Sequence, residues 1–298
     1  VSEFPNIPRS DGADPLCTIT AADLIRAISE GSVASSTPAD FPKYLGACLL
    51  KAQKDLLKVV ATDGKRLSLS QCPCEAKAET DLLLPIPALK ELGRLLMGNA
   101  PESQIDVLYD GSTVWFRLEG LEFSARRVES SFPNYEKILT PGASTTLRIQ
   151  RDELLPALER IDIMVRNTLT RLVVFHLSPG GEFRLTGRAP ELGTTTEVLD
   201  SNIDGDPLRV GFNVGFLQDG LRALGSGEIR MDFNGGEGQT RLLREDSEDF
   251  LYMLMPTRLS PQDLLEDEEA GSGPGQEPRE PLQALAELAS GEREGEPF

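Results

Sequence analysis

Residues 2–8 read "SEFPNIP", and residues 130–138 read "SSFPNYEKI". A related Met-Pro follows near the far end, so that Phe4-Pro5, Phe132-Pro133 and Met255-Pro256 are separated by 128 and 123 residues. Each interval is the size of one ordinary domain. The spacing therefore predicts two copies of one unit. On this reading the opening phrase, residues 1–8, is the last strand of a preceding unit, and Val1 leaves open either a truncated record or an alternative start.

The content of the two intervals recurs as well. About twenty residues after each Phe-Pro comes an amphipathic helical pattern, "TAADLIRAI" (20–28) and then "QRDELLPALERI" (150–161). Thr20 and Asp23 have the spacing of a capping box. Strand–turn–strand patterns follow, "LLKVVATDGKRLSLS" (56–70) and "VVFHLSPGGEFRLTG" (173–187). Second helices come next: "PALKELGRLL" (87–96), whose Pro87 suits a first turn, and "NVGFLQDGLRAL" (213–224), with Asn213 as N-cap. Each interval closes on further strands, among them "VLYDGSTVWFRLEG" (107–120), which alternates apolar and polar residues about an Asp110-Gly111 turn, and "IRMDFNGGEGQTRLLRE" (229–245). The expectation is an α+β chain of tandem domains, residues 9–131 and 132–259, each with two helices packed on antiparallel sheets.

On a helical wheel the first helix buries Leu24, Ile25 and Ile28 and leaves Arg26 opposite. The second buries Leu89, Leu92 and Leu96, with Lys90 and Arg94 one turn apart on the far side. The third buries Leu154, Leu158 and Ile161 and exposes Arg160; the fourth buries Phe216, Leu217 and Leu224 and exposes Arg222. Each helix thus carries a cation away from its apolar stripe, beside Asp23, Glu91, Glu159 and Asp219. Charge on a solvated helix face is ordinary; four helices out of four point to a shared surface that tolerates phosphates.

The chain as a whole is acidic, with 30 Lys and Arg against 48 Asp and Glu, a net charge of −18. Half of the excess lies in residues 260–298, which hold 11 acidic residues and 2 arginines. A body of this sign is unsuited to tight binding of a phosphate backbone, which requires concentrated Lys and Arg. Hydrophobic residues make up 39% and aromatics 6%, so the cores are expected to be aliphatic. No apolar run approaches the roughly 18–20 residues that span a bilayer, and no basic-then-apolar leader is visible.

Motifs of catalysis are missing from the sequence. The single His176 lies in strand-like "LVVFHLS" without a second ligand or nucleophile beside it. The stretch "TDGKR" (62–66) lacks P-loop spacing and reads as a hairpin turn with a functional rim. Of Cys17, Cys48, Cys72 and Cys74 only "CPC" is clustered, without the second pair a zinc site needs; reduced thiols and no metal or other cofactor are expected.

At "VVATDGKRLSLS", "SSFPNYEKI" and "LYMLMPTRL" the chain resembles the β subunit of bacterial DNA polymerase III, the β sliding clamp family. The resemblance spans residues 1–259 in the order and spacing of all three stretches. It implies a DNA clamp fold in which helices line a hole and sheets form the outer wall, two three-domain subunits closing head to tail into a dimeric ring around duplex DNA. The present chain matches the family's second and third domains. Topology rather than affinity then holds the DNA, which suits modest cations on an acidic body. The implied DNA-facing residues are Arg26, Tyr44, Lys90, Arg94, Arg160 and Arg222. A non-catalytic processivity role for the replicative polymerase and a bacterial, nucleoid-associated cytoplasmic location follow from the same resemblance.

The family also binds short extended motifs, a Gln followed by apolar residues, in a cleft between its second and third domains; the polymerase alpha subunit and the clamp loader are such partners. Carried over by motif, that cleft comprises Leu45, Thr62, Gly64, Lys65, Arg66 and Leu67, then Pro133, Lys137 and Ile138, then Met253, Met255, Pro256, Thr257 and Arg258. Methionine is adaptable, as a site shared by many ligands requires. Two departures bear on preference. Lys65 stands where the family usually has His, adding a fixed charge, and Thr257 where it usually has Met, trimming apolar surface. Ring closure in the family uses the first domain, which this stretch does not contain, so a peptide-binding hub that does not encircle DNA is the competing expectation. Closure as a trimer of two-domain units is a further one. Residues 260–298 read as a disordered acidic tail, in which "QDLL" (262–265) and "QALAEL" (283–288) faintly resemble the partner motif and could occupy the chain's own cleft.

Overall fold

The computed structural model describes residues 9–36, 42–139, 142–180, 182–190 and 192–260. The strand expected in residues 1–8, and the tail beyond residue 260 with its two motif-like stretches, lie outside the described residues.

The first half runs β1 (Asp14–Thr20), α1 (Ala21–Gly31), β2 (Ala47–Gln53), β3 (Leu56–Thr62), β4 (Arg66–Pro73), β5 (Glu75–Ala76), β6 (Thr80–Pro85), α2 (Ile86–Leu96), β7 (Gln104–Tyr109), β8 (Thr113–Leu118) and β9 (Leu121–Arg126). The second half repeats the same order: β10 (Thr145–Gln150), α3 (Arg151–Val165), β11 (Leu172–Leu177), β12 (Phe183–Ala189), β13 (Gly193–Leu199), β14 (Asn202–Gly205), β15 (Leu208–Asn213), α4 (Val214–Leu224), β16 (Glu228–Phe233), β17 (Thr240–Arg244) and β18 (Phe250–Leu254). The internal repeat legible in the sequence is therefore an element-for-element repeat in space.

Local chemistry sets the helix starts. The Thr20 hydroxyl accepts the Asp23 N–H at 3.2 Å and donates to the Asp23 carboxylate at 2.8 Å, and the Asn213 side chain accepts the Phe216 N–H at 3.2 Å. The Asp23 and Phe216 amides are each among the donors that a helix start leaves open. Pro87 sits in the first turn of α2, where its missing N–H has no cost; Pro156 lies inside α3. Between β7 and β8 the Asp110 carboxylate takes the Ser112 and Thr113 amides, both at 2.7 Å, which closes the hairpin.

Among the described residues all three sheets are antiparallel. Five strands pair in the order β5-β1-β7-β8-β9, four in the order β13-β12-β11-β15, and nine in the order β14-β10-β16-β17-β18-β4-β3-β2-β6. The nine-stranded sheet crosses the join between the halves, where β18 pairs with β4 in the register Phe250↔Ser70 to Leu254↔Arg66. The halves are thus stitched by backbone hydrogen bonds and together make one compact unit that ends at Arg258.

Each half keeps its own core. Leu24, Ile28, Leu89, Leu92 and Leu96 meet the first half's strands, and Leu154, Leu158, Ile161, Leu217 and Leu224 meet those of the second. Ile25 and Phe216, expected inside, are only partly buried. Phe216 lies at the edge of the core, where a cation rather than an apolar side chain covers its ring, as described below. A third cluster of Ala47, Leu49, Val60, Leu67, Leu83, Tyr135 and Met253 forms where the segment joining the halves folds over the sheet. The four helices make a continuous row, α2 against α1, α1 against α4, and α4 against α3. Gly220 lets α4 approach β18, since a Cβ there would meet the Tyr252 ring.

Candidate nucleic-acid and peptide interface

The helix row brings the sequence-predicted cations onto adjoining elements, although most are already paired. Arg94 makes a bidentate contact with Glu91 at 2.9 and 2.6 Å, and Arg160 does the same with Glu197 at 2.7 Å for both bonds. Arg222 reaches Glu159 at 3.0 Å, and Lys90 is exposed on α2. These are exposed pairs of small net worth. Their effect is to lower the free positive charge of the row while leaving guanidinium edges at the surface.

Two of the expected DNA-facing residues behave differently. Arg26 is turned into the join between the halves, where it binds Asp249 at 2.8 Å, Glu30 at 3.3 Å and Asp23 at 3.5 Å. The wheel placed it opposite the apolar stripe of α1, but β18 brings in Asp249 from the other half of the chain. Tyr44 packs edge-on against Phe132 with ring centroids 5.8 Å apart, beside the joining segment rather than on the helix row.

The join carries two charged networks, one at each end of the β4–β18 pairing. In the first, Arg244 binds Glu30 at 2.6 Å and Asp249 at 2.7 Å, and the Ser70 hydroxyl donates to Glu30 at 2.6 Å. Glu30 is only 6% exposed, and each of its oxygens has a partner. Burial opposes the ionised form of Asp249, but Ser247 and the Arg244 and Arg26 guanidiniums more than offset it and hold its pKa below the ordinary 3.8.

In the second network, Arg66 donates to Asp63 at 2.9 Å, Asp219 at 2.7 Å and the Tyr252 hydroxyl at 3.0 Å. Its guanidinium lies 4.3 Å from the Phe216 ring centre, and Tyr252 in turn donates to the Phe216 carbonyl at 2.9 Å. Burial works against the charge on Arg66; Tyr252, Asp219 and Asp63 outweigh it, so its pKa is raised. Phe216, Asp219 and Tyr252 belong to this corner and were missing from the sequence-predicted cleft. Aromatic and acidic residues on α4 were visible, yet only the pairing of β18 with β4 brings them to Arg66.

The predicted cleft residues divide into groups. Thr62, Gly64, Lys65, Arg66 and Leu67 are brought directly to Met253 and Met255: Met253 pairs with Leu67, Arg66 pairs with the intervening Leu254, and the Met255 N–H donates to the Lys65 carbonyl at 2.9 Å. Thr62 shapes the turn by donating to the Arg66 carbonyl at 2.7 Å and accepting the Gly64 N–H at 3.1 Å, and Gly64 takes φ +86°, which suits glycine. Lys65 projects outward, and Leu67 and Met253 form the floor. Thr257 bridges to Gly211 on β15 with an N–H···O of 2.8 Å, which carries Pro256 and Arg258 along the same corner.

On the joining segment, Pro133, Lys137 and Ile138 are exposed, and Tyr135 anchors them to Leu67 and Met253 in the third cluster. Leu45 is half-buried in the turn before β2. Ile138 at 46% and Met255 at 44% exposure are among the large apolar side chains left open to solvent. A concavity of about 440 Å³ beside the joining segment takes Pro133 alone from the predicted set; Leu49, Lys51, Leu83, Arg127 and Tyr135 also line it. Among the described residues no cluster of His, Cys, Asp and Glu could hold a metal ion, and no helix is long and apolar enough to cross a membrane.

Comparison with known proteins accounts for this arrangement. The family model for the DNA polymerase III beta subunit central domain matches residues 18–134, and that for its C-terminal domain matches residues 137–258. The beta sliding clamp of Vibrio cholerae is 29% identical over 259 residues, covering 87% of this chain and 69% of that protein. That of Synechocystis is 28% identical over 271 residues, covering 86% and 68%. Among solved structures, the Thermotoga maritima beta subunit superimposes with a TM-score of 0.80 at 26% identity, covering 87% of this chain and 69% of that one. The Pseudomonas aeruginosa clamp bound to griselimycin gives the same TM-score, identity and coverage. The repeated α+β units, their helix row and their order along the chain are those of these proteins: the chain belongs to the DNA polymerase III beta subunit family, the β sliding clamps, non-catalytic processivity factors of DNA replication.

Proposed function

We propose that residues 9–131 and 132–259 act as two clamp domains of a ring that encircles duplex DNA without sequence preference, with Lys90, Arg94, Arg160 and Arg222 toward the phosphates. The observation that carries this reading is the continuous row α2-α1-α4-α3, in which three of those four cations are paired with an acidic neighbour. Paired guanidiniums can meet a phosphate without gripping it, and weak, salt-sensitive contact is what sliding requires. Arg26 and Tyr44 act at the join instead.

Ring closure uses sheet edges. The internal join pairs β4 with β18; their counterparts in the other halves, β13 and β9, lie at the ends of their sheets. An unpaired strand edge is a template for a further strand, so β13 and β9 are the surfaces through which this chain meets neighbouring clamp domains in a homo-oligomer.

The corner formed by Thr62–Leu67, Ile138 and Met253–Arg258 receives short apolar partner segments, among them those of the replicative polymerase alpha subunit and the clamp loader in the bacterial cytoplasm. Burying one Leu or aromatic anchor against Met255 and Ile138 would contribute about 2–4 kcal/mol at about 25 cal/mol per Å², and ordering costs then leave micromolar binding. Exchange among partners follows from such affinity.

The test loads the protein onto nicked circular DNA and follows retention before and after linearisation. Retention on circles and loss from linear ends is the expected result. Equal retention on both forms would replace the encircling reading with that of a peptide-binding hub. Met255→Ser with Ile138→Ser should lower affinity for a Gln-plus-apolar peptide about tenfold while leaving stability unchanged.

A further inference from the structure

Three of the four cysteines lie together in the first half, and neither the helix row nor the peptide corner uses them. Cys17 is in β1 and Cys72 in β4, at 2% and 1% exposure. Cys74 is half-buried and follows Pro73 at the point where the chain leaves β4, in the nine-stranded sheet, to enter β5 at the edge of the five-stranded one.

β5 pairs with β1 so that Cys17 faces Ala76. Cys74, two residues before Ala76, is therefore the diagonal neighbour of Cys17 on the same side, and each thiol is the group that most perturbs the ionisation of the other. The corner is pinned on both sides. The Cys74 N–H donates to the Asp55 carbonyl at 3.0 Å, the Ala76 N–H to the Asp55 carboxylate at 3.3 Å, and the Lys77 N–H to the Leu16 carbonyl at 2.8 Å. Cys72 is committed elsewhere, its thiol directed at the Leu57 carbonyl at 3.7 Å.

We propose that Cys17 and Cys74 form an oxidisable dithiol, which a hydroperoxide converts into a disulfide that staples the β4–β5 corner onto β1. Cys74 is the attacking sulfur, because it is the more exposed of the pair. Interaction with the Cys17 thiol also favours its thiolate and lowers its pKa, against burial and the Asp55 charge; the same interaction and burial keep Cys17 protonated. The Cys74 thiolate attacks one peroxide oxygen, the O–O bond breaks, and the leaving oxygen departs as water or alcohol after protonation, giving a sulfenic acid. The Cys17 sulfur then displaces that hydroxyl, the S–S bond forms, and water leaves with the Cys17 proton. The dithiol loses two electrons and the peroxide gains them. Cys48 is fully buried in β2, where burial raises its thiol pKa, and it serves as an internal reference.

The experiment exposes the full chain to a small excess of hydrogen peroxide, alkylates the remaining thiols and maps peptides by mass spectrometry without reduction. The expected product is a Cys17–Cys74 peptide lighter by two hydrogens, with Cys48 and Cys72 alkylated. The oxidised chain should show a higher Tm, reversed by dithiothreitol, because the bond closes a long loop in the unfolded state. Cys74→Ser should leave Cys17 reduced and abolish the shift. A Cys72–Cys74 bond, over-oxidation of Cys74 without a cross-link, or oxidation of Cys48 ahead of Cys74 would each overturn the proposal; the map of the unsubstituted chain decides this even if the variant folds poorly.

Discussion

Helices α1 and α3 occupy the same place in the repeat, and so do strands β4 and β13, yet they do opposite things with charge. At the tenth position of α1, Glu30 bonds to Ser70, the fifth residue of β4; at the tenth position of α3, Arg160 bonds to Glu197, the fifth residue of β13. The first pair lies at the internal join, buried and tied to Arg26, Arg244 and Asp249 from both halves. The second lies on an outer edge and is a simple exposed ion pair. Strand composition follows suit. "RLSLS" (66–70) is buried throughout, whereas "GTTTEVL" (193–199) alternates between exposed and half-buried residues. One structural unit thus supplies either a permanent joint or a replaceable edge, according to whether its charges are enclosed by partners or left in water.

Substitutions can break that contrast. Glu30→Ala would strand Arg244 and the Ser70 hydroxyl in a poorly hydrated site, with an expected loss of about 3 kcal/mol in urea denaturation; a loss below 1 kcal/mol would mean that water replaces the carboxylate. Tyr252→Phe removes the hydroxyl that joins Arg66 to the Phe216 carbonyl and should cost about 1–2 kcal/mol. It should also loosen the β4–β18 pairing, read as faster amide exchange at Leu67 and Met253.

Acid sharpens the comparison further. The pKa of Asp249 is lower folded than its ordinary value of 3.8, so its stabilisation is present above pH 4 and is lost as pH falls through the depressed value. Glu197 is likewise lowered, by its bond to Arg160. Asp249→Asn should flatten the acid limb of a stability–pH curve more than Glu197→Gln, because Asp249 answers to two arginines. Smallest of all, Arg160→Ala should leave the urea-denaturation midpoint essentially unchanged, as befits an exposed pair. A larger loss in an assembled ring alone would implicate the β13 edge in contacts between clamp domains.

Legibility in the sequence followed the range of the interactions. The capping residues Thr20 and Asn213, the Asp110 turn and the apolar stripe of α2 involve neighbours within a few positions, and each was readable in place. The resemblance groups Thr62, Gly64, Lys65, Arg66 and Leu67 with Met253 and Met255, and it is strand pairing that puts the two stretches in contact. Phe216 looked like core because it lies on the apolar side of α4; the Arg66 guanidinium that covers its ring comes from the other half. Arg26 looked like a free surface cation for the same kind of reason. The 440 Å³ concavity under the joining segment had no signature at all, since Leu49, Arg127 and Tyr135 meet only after the segment folds back.

By itself, the sequence determined the repeated unit, its order of helices and strands and the cationic side of each helix, because periodicity and capping are local properties of the chain. Only the tertiary structure decided which cations remain at the surface. The partners that claim Arg26 and Arg66 are Asp249 and Asp219, 223 and 153 residues away along the chain, and nothing short of the β4–β18 pairing brings their charges within reach.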